Sequence, residues 1–163
     1  MNLALRLRSG GVQLDRREHD LVEVARRAVI DLVNSPLAAG REIAFEAGPD
    51  RLPYPVDALW FTRAVQNVVT NALVHNPAGT HVRVDVRRSG RDVVIAIADD
   101  GVGMAPATAD RLFDRYARGA ETSAGTGLGG AIARELVRAH GGDVAVRSSP
   151  GRGTTVEIRL PPA

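Results

Sequence analysis

The chain has 163 residues, 44% apolar and 25% charged, a composition typical of one globular domain and not of a disordered or collagen-like chain. It contains no cysteine, which excludes disulfides, a thiolate nucleophile and a cysteine metal site. All 21 basic residues are arginine and 19 residues are acidic, so the formal net charge is only +2 and nucleic-acid binding is not favoured.

The first residues, 1–11, carry leucines and arginines but no helix cap, and we interpret them as the end of a preceding helical segment or as a linker. We expect the domain proper to span residues 12–163. The arginine-rich start does not resemble a signal peptide, and no long apolar run occurs. We therefore expect a cytoplasmic domain, in a full-length protein that is either soluble or anchored in the inner or plasma membrane.

The spacing of apolar residues predicts helices and strands in the first two thirds of the chain. Polar side chains at the expected positions cap both helices, and Asn-Pro or Ser-Pro steps end them. In chain order we predict a helix capped by Asp20 that ends at Asn34, a strand at 41–47, a helix capped by Asp57 that ends at Asn76-Pro77, and strands at 82–86 and 93–98 that form a hairpin around Ser89-Gly90.

In the last third of the chain, a polar, glycine-rich segment separates predicted helices and strands. We predict a short helix at 106–116, a mobile loop up to Gly125, a helix at 128–140, and strands at 143–147 and 154–160. The helices are segregated from a mostly antiparallel sheet, and strand–helix alternation is too rare for a Rossmann fold. The predicted fold is therefore an α/β two-layer sandwich of the α+β class.

One helix carries a polar stripe, because Arg63, Asn67, Asn71 and His75 follow one another at intervals of four residues. Residues at this spacing share a helix face and can reach one ligand. Neutral amide oxygens suit Mg²⁺ when phosphates already balance its charge. The alternative is a solvated helix face, which spacing alone does not exclude.

Two glycine-containing segments are candidates for binding a nucleotide. Asp99 ends a strand and begins Asp99-Asp100-Gly101-Val102-Gly103, where a carboxylate could accept a hydrogen bond from an exocyclic amine; an ordinary turn is the alternative. The run from Gly125 to Gly130 leads into a helix, so its backbone N–H groups could hold phosphate. It is neither a Walker A motif nor a Rossmann motif, and a flexible linker has a similar composition.

Taken in order, these segments resemble the ATP-binding catalytic domain (HATPase_c) of bacterial sensor histidine kinases, in the Bergerat (GHKL) superfamily, over residues 12–160. The resemblance implies a five-stranded mixed sheet on three helices, with ATP between the N-box helix and the loop before Gly125. The matching motifs are the N box at 67–77, the G1 box at 99–103, the F box at 111–119, the G2 box at 125–131, and the family's usual helix end and last hairpin at 139–142 and 151–155.

The resemblance assigns roles to single residues. Asn71 and Asn67 would place Mg²⁺ on the triphosphate, and Asp99 would bind the adenine amine. Arg115 or Arg118 could meet the γ-phosphate, although surface arginines are the alternative. Phe113 and Tyr116 would either contact the nucleotide or anchor the lid, residues 104–124, to the core. The remaining residues that the resemblance assigns to nucleotide binding are His75, Asn76, Gly101, Gly103, Met104, Gly125, Thr126, Gly127, Leu128 and Gly129.

Three departures from the family pattern stand out. Val74 replaces a residue that is often basic, Gly130 replaces a usual leucine, and no H box with its phosphorylated histidine is present. Related ATPases and serine kinases carry a glutamate base where this chain has Asn67. An amide cannot act as that base, whereas a neutral imidazole already has a free lone pair. The resemblance therefore favours a histidine as the phosphoryl acceptor.

We predict a protein histidine kinase domain that binds Mg²⁺ and ATP and phosphorylates a histidine in a separate helical dimerisation domain, for relay to a response regulator. We expect the isolated chain to be a monomer that does not phosphorylate itself, and the full-length kinase to be a homodimer. The alternatives are a serine kinase of the anti-sigma-factor type and a nucleotide-binding docking module without transfer activity.

Overall fold

The computed structural model describes residues 13–111 and 126–163, and for residues 126–131 only the backbone. Within these ranges lie seven strands, four α-helices and one short 3-10 turn at Pro36–Ala38. The elements are β1 Arg17–Asp20, α1 Leu21–Val33, β2 Glu42–Ala47, β3 Pro53–Val56, α2 Ala58–Val74, β4 His81–Ser89, β5 Asp92–Asp99, α3 Pro106–Arg111, α4 Thr126–Ala139, β6 Asp143–Ser148 and β7 Thr154–Leu160.

Both predicted helix caps are confirmed. The Asp20 carboxylate accepts a hydrogen bond from the Val22 backbone at 3.1 Å, and Asp57 accepts one from Trp60 at 3.2 Å. Each bond satisfies an N–H group that the first helical turn leaves without a partner. The same Asp20 oxygen also accepts from the Leu52 backbone at 2.9 Å, which ties the start of α1 to the segment before β3.

Five strands form one mixed sheet in the order β2-β4-β5-β7-β6. The first two strands run parallel, because the chain crosses over through α2 before it returns as β4. The other three pairings are antiparallel, so β5 is the central strand of a mostly antiparallel sheet. Strands β1 and β3 pair separately as a small antiparallel ribbon. The predicted two-layer sandwich is confirmed.

Helices α1, α2 and α4 contribute to the core on one face of this sheet, and α2 packs between the other two. The core contains Phe61 and the alternating residues Val93, Ile95 and Ile97 of β5, all at most 2% exposed. The opposite face carries charged residues, among them Glu157, which lies within 4 Å of the guanidinium groups of three arginines. This arrangement is expected for a sheet covered on one side. Within the described ranges, every helix is too short or too polar to cross a membrane.

The structure corrects several predicted boundaries. The helix expected at 106–116 is described only as Pro106–Arg111, and the rest of that range lies outside the described residues. Helix α4 begins at Thr126 rather than near 128, so the predicted phosphate-binding residues Gly127 and Gly129 are already helical. Strands β1 and β3 were not predicted, because each is four residues long and β3 contains prolines at positions 53 and 55, which weaken the strand signal.

Helix α4 ends in a Schellman motif, since the N–H groups of Gly141 and Gly142 donate to Arg138 and Val137 at 2.9 and 3.1 Å. The motif places His140, which is 1% exposed, against the start of α2. Its Nδ1 lies 2.8 Å from the Leu136 carbonyl oxygen, so Nδ1 carries the proton and donates. Its Nε2 is then the acceptor for the Asp57 backbone N–H, at 3.1 Å.

We expect the unfolding free energy to fall as the pH is lowered below about 6.5, the ordinary pKa of histidine. Burial lowers the pKa of His140 in the folded protein, while its hydrogen bond to Leu136 opposes that change. The unfolded chain therefore binds this proton first, and stability is lost as the pH falls from 6.5 towards the lower, folded-state pKa.

The variant His140→Phe isolates this effect in urea unfolding at several pH values. It keeps an aromatic ring beside Phe61 but leaves the Asp57 N–H unpaired, so we expect a loss of about 1–3 kcal/mol at pH 7. Its stability should then fall less steeply with acid than that of the wild type. Equal pH dependence in the two proteins would contradict the assignment.

Candidate functional site

A cleft lies between the second half of α2 and the ends of β5 and β7. The space inside it, including open solvent at its mouth, is about 440 Å³. Its wall is mostly apolar with a few polar groups. The lining residues are Val68, Asn71, Ala72, His75, Asn76, Ile97, Asp99, Val102, Gly103, Met104, Thr154 and Val156.

Asn71 presents an unsatisfied polar group to this cleft. The residue is 7% exposed, and its buried amide nitrogen has no hydrogen-bond partner among the described residues. An unpaired buried polar group costs about 1–3 kcal/mol, so a polar ligand that reached Asn71 would remove this cost. Rotation of the amide would present its oxygen instead, which is a ligand type that Mg²⁺ accepts.

The acidic and imidazole side chains of the described ranges do not cluster in groups of three that could hold a metal ion. A cation in the cleft would therefore depend on amide oxygens such as that of Asn71 and on oxygens of its own ligand. The donor set fits a magnesium ion whose charge is balanced by a polyphosphate, because neutral amides add no further negative charge.

Asp99 provides the carboxylate of the cleft, at the end of the central strand β5. Its Oδ1 accepts from the Gly101 backbone at 2.9 Å. Burial raises the pKa of Asp99, and hydrogen bonds from Gly101, Thr154 and Asn76 oppose this rise. The carboxylate is thus held by the Gly101 backbone N–H and can accept a further hydrogen bond from a ligand amine.

The neighbouring carboxylate of Asp100 has a different environment. Asp100 accepts from the His81 backbone at 2.7 Å and lies 2.8 Å from the His81 imidazole, and it is not part of the cleft lining. These hydrogen bonds lower the pKa of Asp100 and raise that of His81. Of the two adjacent acidic residues, only Asp99 belongs to the cleft.

Only part of the predicted polar stripe of α2 lines the cleft. Asn71 and His75 both line the cleft, where burial lowers the pKa of His75 and the charge of Asp99 opposes that change. Asn67, one turn earlier, is partly buried but is not among the lining residues, and Arg63 is exposed. The role assigned to Asn67 stays a prediction.

Asn76 lines the cleft, yet it uses both ends of its amide within the protein. Its Nδ2 donates to the Ala72 carbonyl at 2.7 Å, and its Oδ1 accepts from the Val102 backbone at 3.0 Å. A Cβ atom at Gly101 would lie only 1.9 Å from that Oδ1. The missing side chain of Gly101 therefore makes room for Asn76. Gly101 is not among the residues that line the cleft, and its assignment to nucleotide binding stays a prediction.

Position 103 requires glycine, because the backbone of another segment passes very close to it. Its φ of +66° is unfavourable for other residues, and a Cβ there would lie 2.0 Å from the Ser149 carbonyl oxygen. The next residue, Met104, donates from its backbone to the Ser148 hydroxyl at 2.9 Å. The loop after β5 is therefore fixed to the hairpin between β6 and β7, and both residues line the cleft.

Sequence reasoning missed part of the cleft wall. Thr154 is 8% exposed and its hydroxyl lies 2.7 Å from that of Ser148. It occupies the first inward position of β7, in an alternation that continues with Val156 and Ile158. A threonine at the start of an otherwise apolar inward row was the available signal.

Several predicted site residues cannot be placed. Phe113, Arg115, Tyr116, Arg118 and Gly125 lie outside the described residues. A further four, whose backbone forms the first turn of α4 but whose side chains are not described, are Thr126, Gly127, Leu128 and Gly129. Their assignment to nucleotide binding stays a prediction.

Comparison with known proteins identifies the family. The model of the histidine kinase-, DNA gyrase B- and HSP90-like ATPases matches residues 56–163. Sensor histidine kinase YvrG of Bacillus subtilis is 34% identical over 161 residues, which cover 97% of this chain and 28% of that protein. The solved mycobacterial sensor histidine kinase MprB is 28% identical with a TM-score of 0.76, covering 89% of this chain and 97% of that one. Full-length ShkA in complex with AMPPNP is 26% identical with a TM-score of 0.83, covering 98% of this chain and 34% of that one.

The chain therefore belongs to the family of histidine kinase-, DNA gyrase B- and HSP90-like ATPases. Within that family it is an ATP-binding catalytic domain of the two-component histidine kinase type, as the sequence resemblance implied. It spans about 28% of the length of YvrG.

The requirement for glycine at position 103 can be tested by comparing Gly103→Ala with Gly151→Ala. Both glycines have positive φ, but a Cβ at Gly151 would meet nothing within 4 Å. We expect Gly151→Ala to lose about 1–2 kcal/mol of unfolding free energy from backbone strain. Gly103→Ala should lose about 2 kcal/mol more, because its Cβ also collides with Ser149. Equal losses in urea unfolding would contradict this account.

Proposed function

We propose that this domain binds Mg²⁺ and ATP in the cleft between α2, β5 and β7 and transfers the γ-phosphoryl group to a histidine on a separate helical domain. One observation carries the proposal: the fixed carboxylate of Asp99 and the unsatisfied amide of Asn71 line the same mostly apolar cleft. The apolar walls suit a purine ring, and the two polar groups suit its amine and the metal-bound phosphates.

In this proposal Asp99 selects adenine. Its carboxylate accepts a hydrogen bond from the exocyclic amine, while Ile97 and Val156 provide apolar surface for the ring. The orientation of Asp99 is set before the ligand arrives, since the Gly101 N–H already holds the carboxylate. Such preorganisation lowers the cost of ordering the site on binding.

Asn71 would hold the phosphate end of the nucleotide through Mg²⁺, which supplies charge neutralisation of the triphosphate when bound. His75, one turn further along α2, would remain neutral at pH 7, because burial lowers its pKa. A neutral imidazole can donate or accept a hydrogen bond without adding charge beside the phosphates.

The transfer itself needs an acceptor with a lone pair. An imidazole nitrogen of the acceptor histidine attacks the γ-phosphorus, and the bond from that phosphorus to the bridging oxygen breaks, which leaves ADP. The domain would contribute positioning and electrostatic stabilisation rather than a general base, because Asn67 is an amide. The γ-phosphate contacts that we assign to Arg115 or Arg118 would complete the site.

The larger setting is proposed from the relatives. YvrG and full-length ShkA are longer than this chain, so we propose that the acceptor histidine belongs to another domain of a dimeric kinase that passes the phosphoryl group to a response regulator. We propose that this domain operates in the cytoplasm, where ATP is available, whether or not the whole protein is anchored in a membrane.

Phosphoryl transfer can be measured in the longest protein that the gene encodes, with ATP labelled in its γ-phosphoryl group and Mg²⁺ present. We expect an acid-labile, base-stable label on a histidine outside residues 13–163, and we expect the isolated domain to bind ATP without becoming labelled. Acid-stable phosphoserine on a protein substrate would instead favour the serine-kinase alternative. Stable label on any of the four histidines of this chain would contradict the proposal.

The role of Asn71 can be tested by measuring ATP affinity with and without Mg²⁺ for Asn71→Ala. We expect affinity with Mg²⁺ to fall about tenfold or more, and affinity without Mg²⁺ to change little. Its thermal stability should not fall sharply, because the Asn71 amide nitrogen has no hydrogen bond to a described residue that would be lost, and removal of the unsatisfied group offsets the packing lost with the side chain.

The matched control is Thr70→Ala, which lies one residue earlier on α2 and is not part of the cleft lining. It should retain the full Mg²⁺ dependence. An Asn71→Ala protein that keeps the wild-type Mg²⁺ dependence would exclude the metal role of Asn71.

A further inference from the structure

Arg41 connects the turn before β2 to the end of α2. Its guanidinium donates to the Asn76 carbonyl at 2.7 Å, and to the Leu37 and Ala39 carbonyls at 3.4 and 3.3 Å. The Asn76 carbonyl follows the last turn of α2, where the helix dipole is negative and a cation is stabilising. Arg41 therefore binds the chain just beyond the end of α2, at a residue 35 positions away in the sequence.

The position of this guanidinium is determined by more than one contact. Its Nε is buried without a hydrogen-bond partner among the described residues, so the side chain gives up part of its solvation to make the three carbonyl contacts. Arg41 is not among the residues that line the nucleotide cleft. Any effect on the nucleotide must therefore pass through Asn76.

Asn76 connects Arg41 to the segment that carries the Asp99 carboxylate. Its side-chain oxygen accepts from the Val102 backbone at 3.0 Å, and the preceding residue, Gly101, donates from its backbone to the Asp99 carboxylate at 2.9 Å. Because a Cβ at Gly101 would lie 1.9 Å from the Asn76 Oδ1, no free space separates the two segments. A displacement of Asn76 must therefore displace residues 99–102 as well.

We propose that Arg41 is a positioning residue for nucleotide selection. It holds Asn76, Asn76 holds the loop at Gly101 and Val102, and this loop holds Asp99 in the orientation that accepts a hydrogen bond from an exocyclic purine amine. This inference rests on the proposed function of the cleft. It adds a residue outside the recognised motifs that controls which base the cleft prefers.

The test compares the affinities of ADP and inosine diphosphate, which carries an oxygen in place of the exocyclic amine. The variants are Arg41→Met, which has similar length but no donor, and Arg88→Met as control, since Arg88 is an exposed arginine far along β4. We expect the ADP preference of the wild type to fall about tenfold in Arg41→Met and to stay unchanged in Arg88→Met. Arg41→Lys, which keeps one donor group, should recover part of the preference.

The proposed function and this inference fail in different ways. A wild-type protein without a preference for ADP, or an Asp99→Asn variant that keeps it, would overturn the assignment of Asp99 itself. A wild type that prefers ADP together with an Arg41→Met protein of unchanged preference would overturn only the role of Arg41, whatever the stability of that variant.

Asn76→Ala provides a second test if Arg41→Met does not fold. It leaves Arg41 in place but removes the bond to Val102, so we expect it to lose the ADP preference to a similar extent. In the double variant Arg41→Lys with Asn76→Ala, the losses of ADP preference should not add. Both substitutions disrupt the same connection, which runs from Arg41 through Asn76 to the loop after β5. Retention of the preference in Asn76→Ala would contradict the proposal.

Discussion

The packing of α2 on the central strands of the sheet is the contact on which the rest of this structure depends. It buries Phe61 and the inward row of β5, and it brings the last turns of the helix opposite the end of that strand. Asn71 and Asp99, which are 28 residues apart in the sequence, meet at one cleft only because of this packing. The core and the candidate active site are therefore consequences of the same interface.

Two asparagines at this interface show how hydrogen bonding within the protein distinguishes a structural polar group from a candidate ligand-binding one. Asn76 satisfies its amide within the protein and holds the loop after β5. Asn71, five residues earlier, is equally buried but leaves its amide nitrogen without a partner among the described residues. Since a buried unsatisfied group lowers stability, its presence at a cleft wall is better explained by a ligand than by folding.

The glycines of the loop after β5 illustrate a different point. Gly101 gives space to Asn76, and Gly103 gives space to the carbonyl of Ser149. Both act on the nucleotide site indirectly, because they allow three chain segments to come close enough to fix Asp99. The segment 99–103, whose sequence is typical of a ligand-binding loop, therefore also has a packing role.

The sequence by itself determined the fold class, the caps at Asp20 and Asp57, most strand positions and the order of motifs that defines the family. These features depend on residues close together in the chain, such as apolar periodicity and capping side chains. The tertiary structure alone decided that Asn76 faces inward to hold a loop, that Asn67 is not on the described cleft wall, and that Arg41 bonds to Asn76, far from it in sequence. Such contacts join segments whose approach depends on packing of the whole core, which no local pattern records.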